Sequence, residues 1–342
     1  MLCVRRCSLM IYLFEFKRYC QPLQVPLRTA HGVWAEREGL IIRLEDESGQ
    51  VGYGEIAPIP WFGTETLAEA EEICRKFGDQ VDDALCAAVP LSFGCVRFAL
   101  AAARAEKTAD ATAAKLRLPV AALLPAGHAA LTVLSAKLEA GFLAFKWKVG
   151  VGQADDELGL LDDLLSRLPA HVKLRLDANG SWTRRQAQQW LERCADRPIE
   201  FIEQPVAPTE VDTLLGLARD YPVTLALDES VVRLNEARRW QGLGWPGVFV
   251  IKPALVGPLS ELAEWIITSK ADVVISSAIE SSLARHSILR LVLTQSLTQR
   301  ALGFGLGEVF GQGAWDGAIL GPLADGTLFT ANPGEALWNE LS

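Results

Sequence analysis

From about residue 118 onward the chain keeps one beat: a short apolar run, a turn, a longer polar-patterned segment, then another apolar run. The runs are VAALLPAG, FLAFKWKV, VKLRLDANG, IEFIEQP, VTLALDES, GVFVIKP, DVVISSA and ALGFGLG, eight in all. Between them lie segments such as DDELGLLDDLLSRL and RRQAQQWLERCA, whose apolar residues recur at helical spacing. Alternation of this kind implies parallel βαβ units with right-handed crossovers, and eight of them imply an α/β fold of the closed (β/α)8 TIM-barrel type. An open doubly wound sheet is the alternative, but no G-x-G-x-x-G phosphate loop follows a first strand to support it.

The ends of these strands carry charge. Lys148 ends the second, Asp177 the third, Glu203 the fourth, Asp228 the fifth and Lys252 the sixth, at intervals of 29, 26, 25 and 24 residues by subtraction of successive positions. Each interval is about one β/α unit, and a barrel builds its active site at the C-terminal ends of its strands, so five charged groups are expected in one cavity. Three carboxylates around one point raise one another's pKa unless a cation sits among them. Oxygen-only ligation by Asp177, Glu203 and Asp228, with no histidine or cysteine nearby in the pattern, favours Mg²⁺, or Mn²⁺, over zinc. Lys146 shares a strand face with Lys148. A second ammonium there, together with the metal, is expected to lower the proton affinity of Lys148 and suit it to act as an amine base. Taken singly, each residue has a plainer reading: a K-x-K on a solvated strand, or an acid that caps the next helix.

With 342 residues, half of them hydrophobic, the chain can bury a large core. A net charge of −9 argues against a nucleic-acid or anionic-membrane surface and for a small-molecule partner. The seven cysteines are scattered, odd in number and without a C-x-x-C pair, which points to a reducing compartment, read as the cytoplasm. No window approaches the roughly 18 to 20 apolar residues of a membrane span. Residues 1–9 read as a dispensable extension, and IYLFEF as the first strand. Up to residue 107 the pattern is α+β: a hairpin turning at Glu47–Gln50, a helix in TETLAEAEEICRKFGDQV with Thr64 as its N-cap, and a second helix in LSFGCVRFALAAARAEK.

The acids and lysines at successive strand ends resemble the enolase superfamily, in its muconate-lactonizing-enzyme-like subgroup. Within it GYGEIAPIPWFGTET, LRLDANGSW, FIEQP, LALDES, VIKP and ISSAIESSL are similar to the o-succinylbenzoate synthase family of menaquinone and phylloquinone biosynthesis. Dipeptide epimerases of the subgroup carry D-x-D at the eighth strand, where this chain has GFGLGEV. The resemblance implies a modified barrel, residues 108–321, and an α+β capping domain, residues 1–107, completed by 322–342. It also implies Mg²⁺-dependent syn-dehydration of 2-succinyl-6-hydroxy-2,4-cyclohexadiene-1-carboxylate through an enediolate. Lys148 would be the base and then the acid, and Lys252 would stay protonated on the opposite face.

Further assignments follow from position. Glu229 is expected beside Lys252 or the metal. Asn179 would orient a ligand or substrate, or cap a loop; Arg175 would neutralise a substrate carboxylate, or form an ion pair inside the barrel. Ser276 and Ser277 would hold the succinyl carboxylate through hydroxyls and backbone N–H groups. Gly303 and Gly305 would contact substrate at the eighth strand, and Arg28 in RTAHG, with Thr29 and an exposed His31, lies in a polar loop that resembles the lid of the family's enzymes. Trp61 and Phe62 would wall the cavity. The competing activities are an N-acylamino acid racemase, another enzyme of the subgroup such as a dipeptide epimerase or cycloisomerase, and a catalytically silent binding barrel. The sequence leaves oligomeric state open.

Overall fold

The computed structural model describes residues 10–29, 32–105, 117–311, 313–317, 321–325 and 333–341, without the side chains of Arg28 and Thr29. The expected extension at 1–9, His31 of the expected lid and the boundary drawn at 107/108 lie outside the described residues.

The N-terminal part is an antiparallel sheet of β1 (Ile11–Thr29), β2 (Gly32–Asp46), β3 (Val51–Ile56) and β4 (Gln80–Asp82), in the order β3-β2-β1-β4. A turn at 47–50 joins β2 to β3, where the Asp46 carboxylate accepts the backbone N–H groups of Ser48 and Gln50. Helices α1 (Leu67–Phe77), α2 (Asp83–Ala88) and α3 (Gly94–Ala105) complete this part. Thr66 caps α1, in a reciprocal box with Glu69. Thr64, the expected cap, instead spends its hydroxyl on the Ile59 N–H and the Glu65 carbonyl. Helix α3 lies so close to β3 that a methyl group on Gly54 would come 2.2 Å from the Ala99 carbonyl oxygen. Glycine is needed there for the approach of two backbones.

The barrel strands are β5 (Leu118–Leu124), β6 (Ala144–Lys148), β7 (Lys173–Asp177), β8 (Ile199–Glu203), β9 (Leu225–Leu227), β10 (Val248–Ile251), β11 (Val273–Ile275) and β12 (Leu302–Gly305). Between them run α4 (Ala129–Glu139), α5 (Ala154–Arg167), α6 (Arg184–Cys194), α7 (Val211–Asp220), α8 (Leu234–Gly242), α9 (Pro253–Val256), α10 (Leu259–Ser269) and α11 (Ser282–Gln295). Neighbouring strands pair in parallel from β5 through β11, β12 returns to β5, and a parallel bridge between Ser276 and Gly303 closes the ring. Inward positions fill it: Phe201, Ala226, Val248, Val250 and Val274 form one interior cluster, with Ala121, Ala144 and Ala301 another. The outward faces of the strands and the inner faces of the helices merge into the main core.

Two last elements tie the ends together. β13 (Leu323–Ala324) pairs antiparallel with the start of β5, and α12 (Pro333–Glu340) packs Leu337 and Trp338 against Tyr19, Ile41 and Tyr53 of the N-terminal sheet.

Gly54→Ala is expected to lower stability in urea denaturation by about 1–3 kcal/mol, the usual cost of forcing extra volume between packed backbones. Gly216→Ala, inside α7 where no atom lies within 4 Å of the added methyl, should instead raise it by about 0.5–1 kcal/mol.

Candidate active site

Three barrel strands set the site at one level. Lys148 is paired in register with Asp177, and Asp177 with Glu203. The ladder then continues past the strand ends: the Val149 N–H donates to the Asp177 carbonyl at 2.9 Å, Ala178 N–H to the Glu203 carbonyl at 3.1 Å, and Gln204 N–H to the Ala226 carbonyl at 2.8 Å. Each residue after a charged one is therefore hydrogen-bonded to the next strand, which fixes the charged side chain's direction.

Gln204 carries the order on to the fifth strand of the barrel. Its amide oxygen accepts the N–H groups of Asp228 at 3.1 Å and Ser230 at 3.2 Å, while its amide nitrogen donates to the Val206 carbonyl and the Ser230 hydroxyl, both at 2.9 Å. Its role was not read from the sequence. The signal available was an amide placed directly after a strand-ending acid and before a proline, in Glu203-Gln204-Pro205.

Asp177, Glu203 and Asp228 are all buried. Lys146 donates to Asp177 Oδ2 and Glu203 Oε1, each at 2.7 Å, and Lys252 bonds to Asp228. Burial opposes the Lys146 charge, but Asp177, Glu203 and Asp228 outweigh it and raise its pKa well above the ordinary value. This alters the expectation for Lys146: an ammonium already bound by two carboxylates projects little net charge onto Lys148. Burial, with the charge of Asp177, pushes the Glu203 carboxyl well up, whereas burial of Asp228 is outweighed by Lys252, which holds its carboxyl low.

Asn179 joins the acids. Its backbone N–H donates to Asp177 Oδ1 at 3.0 Å, and its amide nitrogen to Asp177 Oδ2 at 3.3 Å and to Glu229 Oε1 at 3.1 Å. Of the two readings for Asn179, orienting a candidate ligand is the one the geometry supports. Burial, then the charges of Asp228 and Asp177, push Glu229 up to about 7, and its Oε2 is buried without a hydrogen-bond partner. Glu229 therefore sits beside the acids through Asn179.

This cluster fits a divalent cation by its chemistry. The carboxyls of Asp177, Glu203, Asp228 and Glu229 outnumber the ammonium groups of Lys146, Lys148 and Lys252, an orphaned carboxylate oxygen lies among them, and every donor is oxygen. Among the described residues no three acids close on a single point as a preformed cage; Lys146 and Lys252 lie on them instead, as expected where protein cations must do the compensating.

Other expected contacts fall elsewhere. Arg175 points into the barrel one layer below the acids, 1% exposed, bonded to Glu200 Oε2 at 2.6 Å and the Ala301 carbonyl at 2.9 Å and stacked on Phe201. Of its two expected roles this is the interior ion pair, and its second terminal nitrogen is buried without a hydrogen-bond partner. The backbone N–H groups of Ser276 and Ser277 donate to the carbonyls of Ile251 and Gly303, and the Ser277 hydroxyl donates to Glu280. They are used up in the fold, which leaves the Ser276 hydroxyl, 3.4 Å from the Gly303 carbonyl, as the remaining polar group of that strand end. Gly303 and Gly305 are accounted for by closure: added methyl groups would meet Ser276 and the Ala121 carbonyl. Arg28 pairs its backbone with Val33, and its side chain lies outside the described residues. Phe62 lies at the site, its ring centroid 4.3 Å from Lys252 Nζ; Trp61, 42% exposed, stacks edge-on with Trp34.

Comparison with known proteins fits this geometry. Residues 12–107 match the family described as MenC, N-terminal domain, and residues 130–276 the one described as Enolase C-terminal domain-like. An o-succinylbenzoate synthase of Thermosynechococcus vestitus is 40% identical over 96% of this chain and 99% of its own, and one from Yersinia enterocolitica is 33% identical over 80% and 84%. The crystal structure of o-succinylbenzoate synthase from Thermosynechococcus elongatus BP-1, complexed with Mg in its active site, superposes with a TM-score of 0.84 at 38% identity, covering 96% of this chain and 99% of that one. L-Ala-D/L-Glu epimerase from Bacillus subtilis, 19% identical with a TM-score of 0.78 over 92% and 95%, shares the fold.

Lys146→Met is expected to lower stability in divalent-free buffer by about 3 kcal/mol, because two buried carboxylates lose their shared cation. Thermal melts with and without added Mg²⁺ check it: the variant should gain more from the ion than the parent protein does.

Proposed function

This chain belongs to the o-succinylbenzoate synthase family, and on that premise we propose that it dehydrates 2-succinyl-6-hydroxy-2,4-cyclohexadiene-1-carboxylate to o-succinylbenzoate, a step toward menaquinone or phylloquinone. The observation that carries the reading is Lys148 held in register beside Asp177 and Glu203, with Lys252 on Asp228 four strands away.

Lys148 takes the proton from the ring carbon that bears the carboxylate. The ammonium so formed returns a proton to the departing ring hydroxyl on the same face, so one C–H and one C–O bond break, water leaves and the ring becomes aromatic. Asp177, Glu203 and Asp228 would hold Mg²⁺, which when bound supplies Lewis-acid stabilisation to the substrate carboxylate as charge develops there. Asn179 keeps Asp177 turned toward the site, and Gln204 does the same for the Asp228 backbone. Lys252, between the Asp228 carboxylate and the Phe62 ring, stays an ammonium and stabilises charge on the opposite face of the ring.

Two units would share the work, a cap of residues 1–107 with 322–342 and a barrel of 108–321. The packing of α12 on the N-terminal sheet and the separate family matches support this division. No helix among the described residues is long and apolar enough to cross a membrane; the cytoplasm is proposed as the place of action from the scattered cysteines without a C-x-x-C pair.

Purified protein should convert the cyclohexadiene with loss of diene absorbance in Mg²⁺ and not in EDTA, and Lys148→Ala should lower the rate by about 10²- to 10⁴-fold, the range for a general acid–base group. Lys252→Arg should keep dehydration while abolishing any racemisation of N-acylamino acids, which needs a second base. A folded, Mg²⁺-loaded protein that leaves the diene unchanged would refute the assignment.

A further inference from the structure

The loop after β11 has a strained backbone beside the barrel mouth. Ile279 has φ of 60°, the left-handed region that a β-branched residue rarely enters. Such strain persists only where the surroundings hold it, and it gathers at functional sites.

The holding groups come from two directions. Within the loop, the Ser277 hydroxyl oxygen accepts the Ile279 N–H at 3.0 Å, and Glu280, 4% exposed, accepts the Ala278 N–H at 2.6 Å. From the N-terminal sheet, Arg37 Nε donates to the Ile279 carbonyl at 3.0 Å. Glu55 accepts the Ser281 N–H at 2.9 Å, the Ser281 hydroxyl at 2.7 Å and the Tyr19 hydroxyl at 2.5 Å. Arg37 and Glu55 are each 1% exposed. Arg37 spends its other nitrogens on the carbonyls of Ala57 and Pro58, just beyond β3.

A carboxylate buried among uncharged donors is a poor source of cohesion, because its desolvation offsets most of what its hydrogen bonds return. What it contributes is direction. Ser281 is the N-cap of α11 and Ile279 the strained residue two before it, so the sheet grips the loop at both points. The gripped segment begins at Ser276, whose strand closes the barrel, and includes the half-buried Ile279 side chain.

We propose that Arg37 and Glu55 are positioning residues that hold the 276–281 loop in its strained shape as one wall of the substrate cavity, so that the cap sets substrate affinity through a barrel loop. The inference rests on the function proposed above for what the loop receives.

The test is a cycle of Glu55→Gln and Ile279→Gly, with Ser281→Ala as the milder break of the same contact. Glu55→Gln should raise KM for the cyclohexadiene about tenfold, the order expected for a weakened hydrogen bond to a charged acceptor, with kcat and Mg²⁺ affinity by calorimetry little changed. In the Ile279→Gly background, where the left-handed backbone is unstrained, the same substitution should raise KM only about two- to threefold, because there is less strain to release. An equal penalty in both backgrounds, or a loss that tracks Mg²⁺ affinity or melting temperature, overturns the proposal. If Glu55→Gln does not fold, the same cycle with Ser281→Ala decides. A wild-type protein inactive on the diene counts against the proposed function alone; hydrogen exchange at the amides of residues 278–281 then judges the clamp, and no acceleration in Glu55→Gln refutes it.

Discussion

In-register parallel pairing of β6, β7 and β8 is the constraint on which the site depends. Because side chains alternate across a strand, a slip of one residue in any of the three would turn Lys148, Asp177 or Glu203 out of the cavity and bring an apolar neighbour in. The pairing does contain one irregularity, between Leu174 and Arg175, and it lies one layer below the acids. There Arg175 finds Glu200, and the ladder has recovered its register by the time it reaches Asp177 and Glu203. The backbone bonds that run past the strand ends extend the same order into the first loop residues, which is where a barrel otherwise has the most freedom.

That order forces like charges together, and the charges in turn explain the side-chain arrangement. Asp177, Glu203 and Asp228 are buried within reach of one another, so each favours a nearby cation. Lys146 and Lys252 answer that demand only in part: Asp228 is held low by Lys252, while the buried Glu203 and Glu229 carboxyls are both pushed toward neutrality. A scaffold that only had to be stable would gain by replacing these groups with apolar ones of similar size. Their presence is accounted for by chemistry on a substrate.

Much of this was legible in the sequence, and the parts that were not share a cause. Strand ends are legible because apolar runs stop at charged residues, and so Lys148, Asp177, Glu203, Asp228 and Lys252 could be placed without a structure. What each side chain touches depends on the layer it occupies. Arg175 and Asp177 have the same parity, yet one is inside the barrel on Glu200 and the other at its mouth. Gly303 and Gly305 read as substrate contacts, and the packing reason for glycine there, the nearness of Ser276 and the Ala121 carbonyl, has no mark in the sequence. The Ser277 hydroxyl was lost to Glu280, a residue three positions on whose burial has no mark in the sequence. Thr66 outcompeted Thr64 as the cap of α1 because Glu69 stands three positions after it, and that signal could have been used.

The distribution of backbone strain separates folding from function. Among the described residues five that are not glycine have positive φ: Asn179, Gln204, Lys270, Ile279 and Ser296. Lys270 and Ser296 are the C-caps of α10 and α11, where a left-handed residue is an ordinary way to end a helix. The other three follow β7, β8 and β11 at the barrel mouth, and each is held by polar bonds rather than by a helix end. Asn179 turns back onto Asp177, Gln204 onto the Asp228 backbone, and Ile279 is fastened to the cap. Apolar packing could not hold these conformations, since dispersion is nearly indifferent to direction, whereas hydrogen bonds at fixed angles are not. The mouth therefore uses polar groups to aim a small number of side chains, and leaves cohesion to the layers of valine, alanine and phenylalanine beneath it.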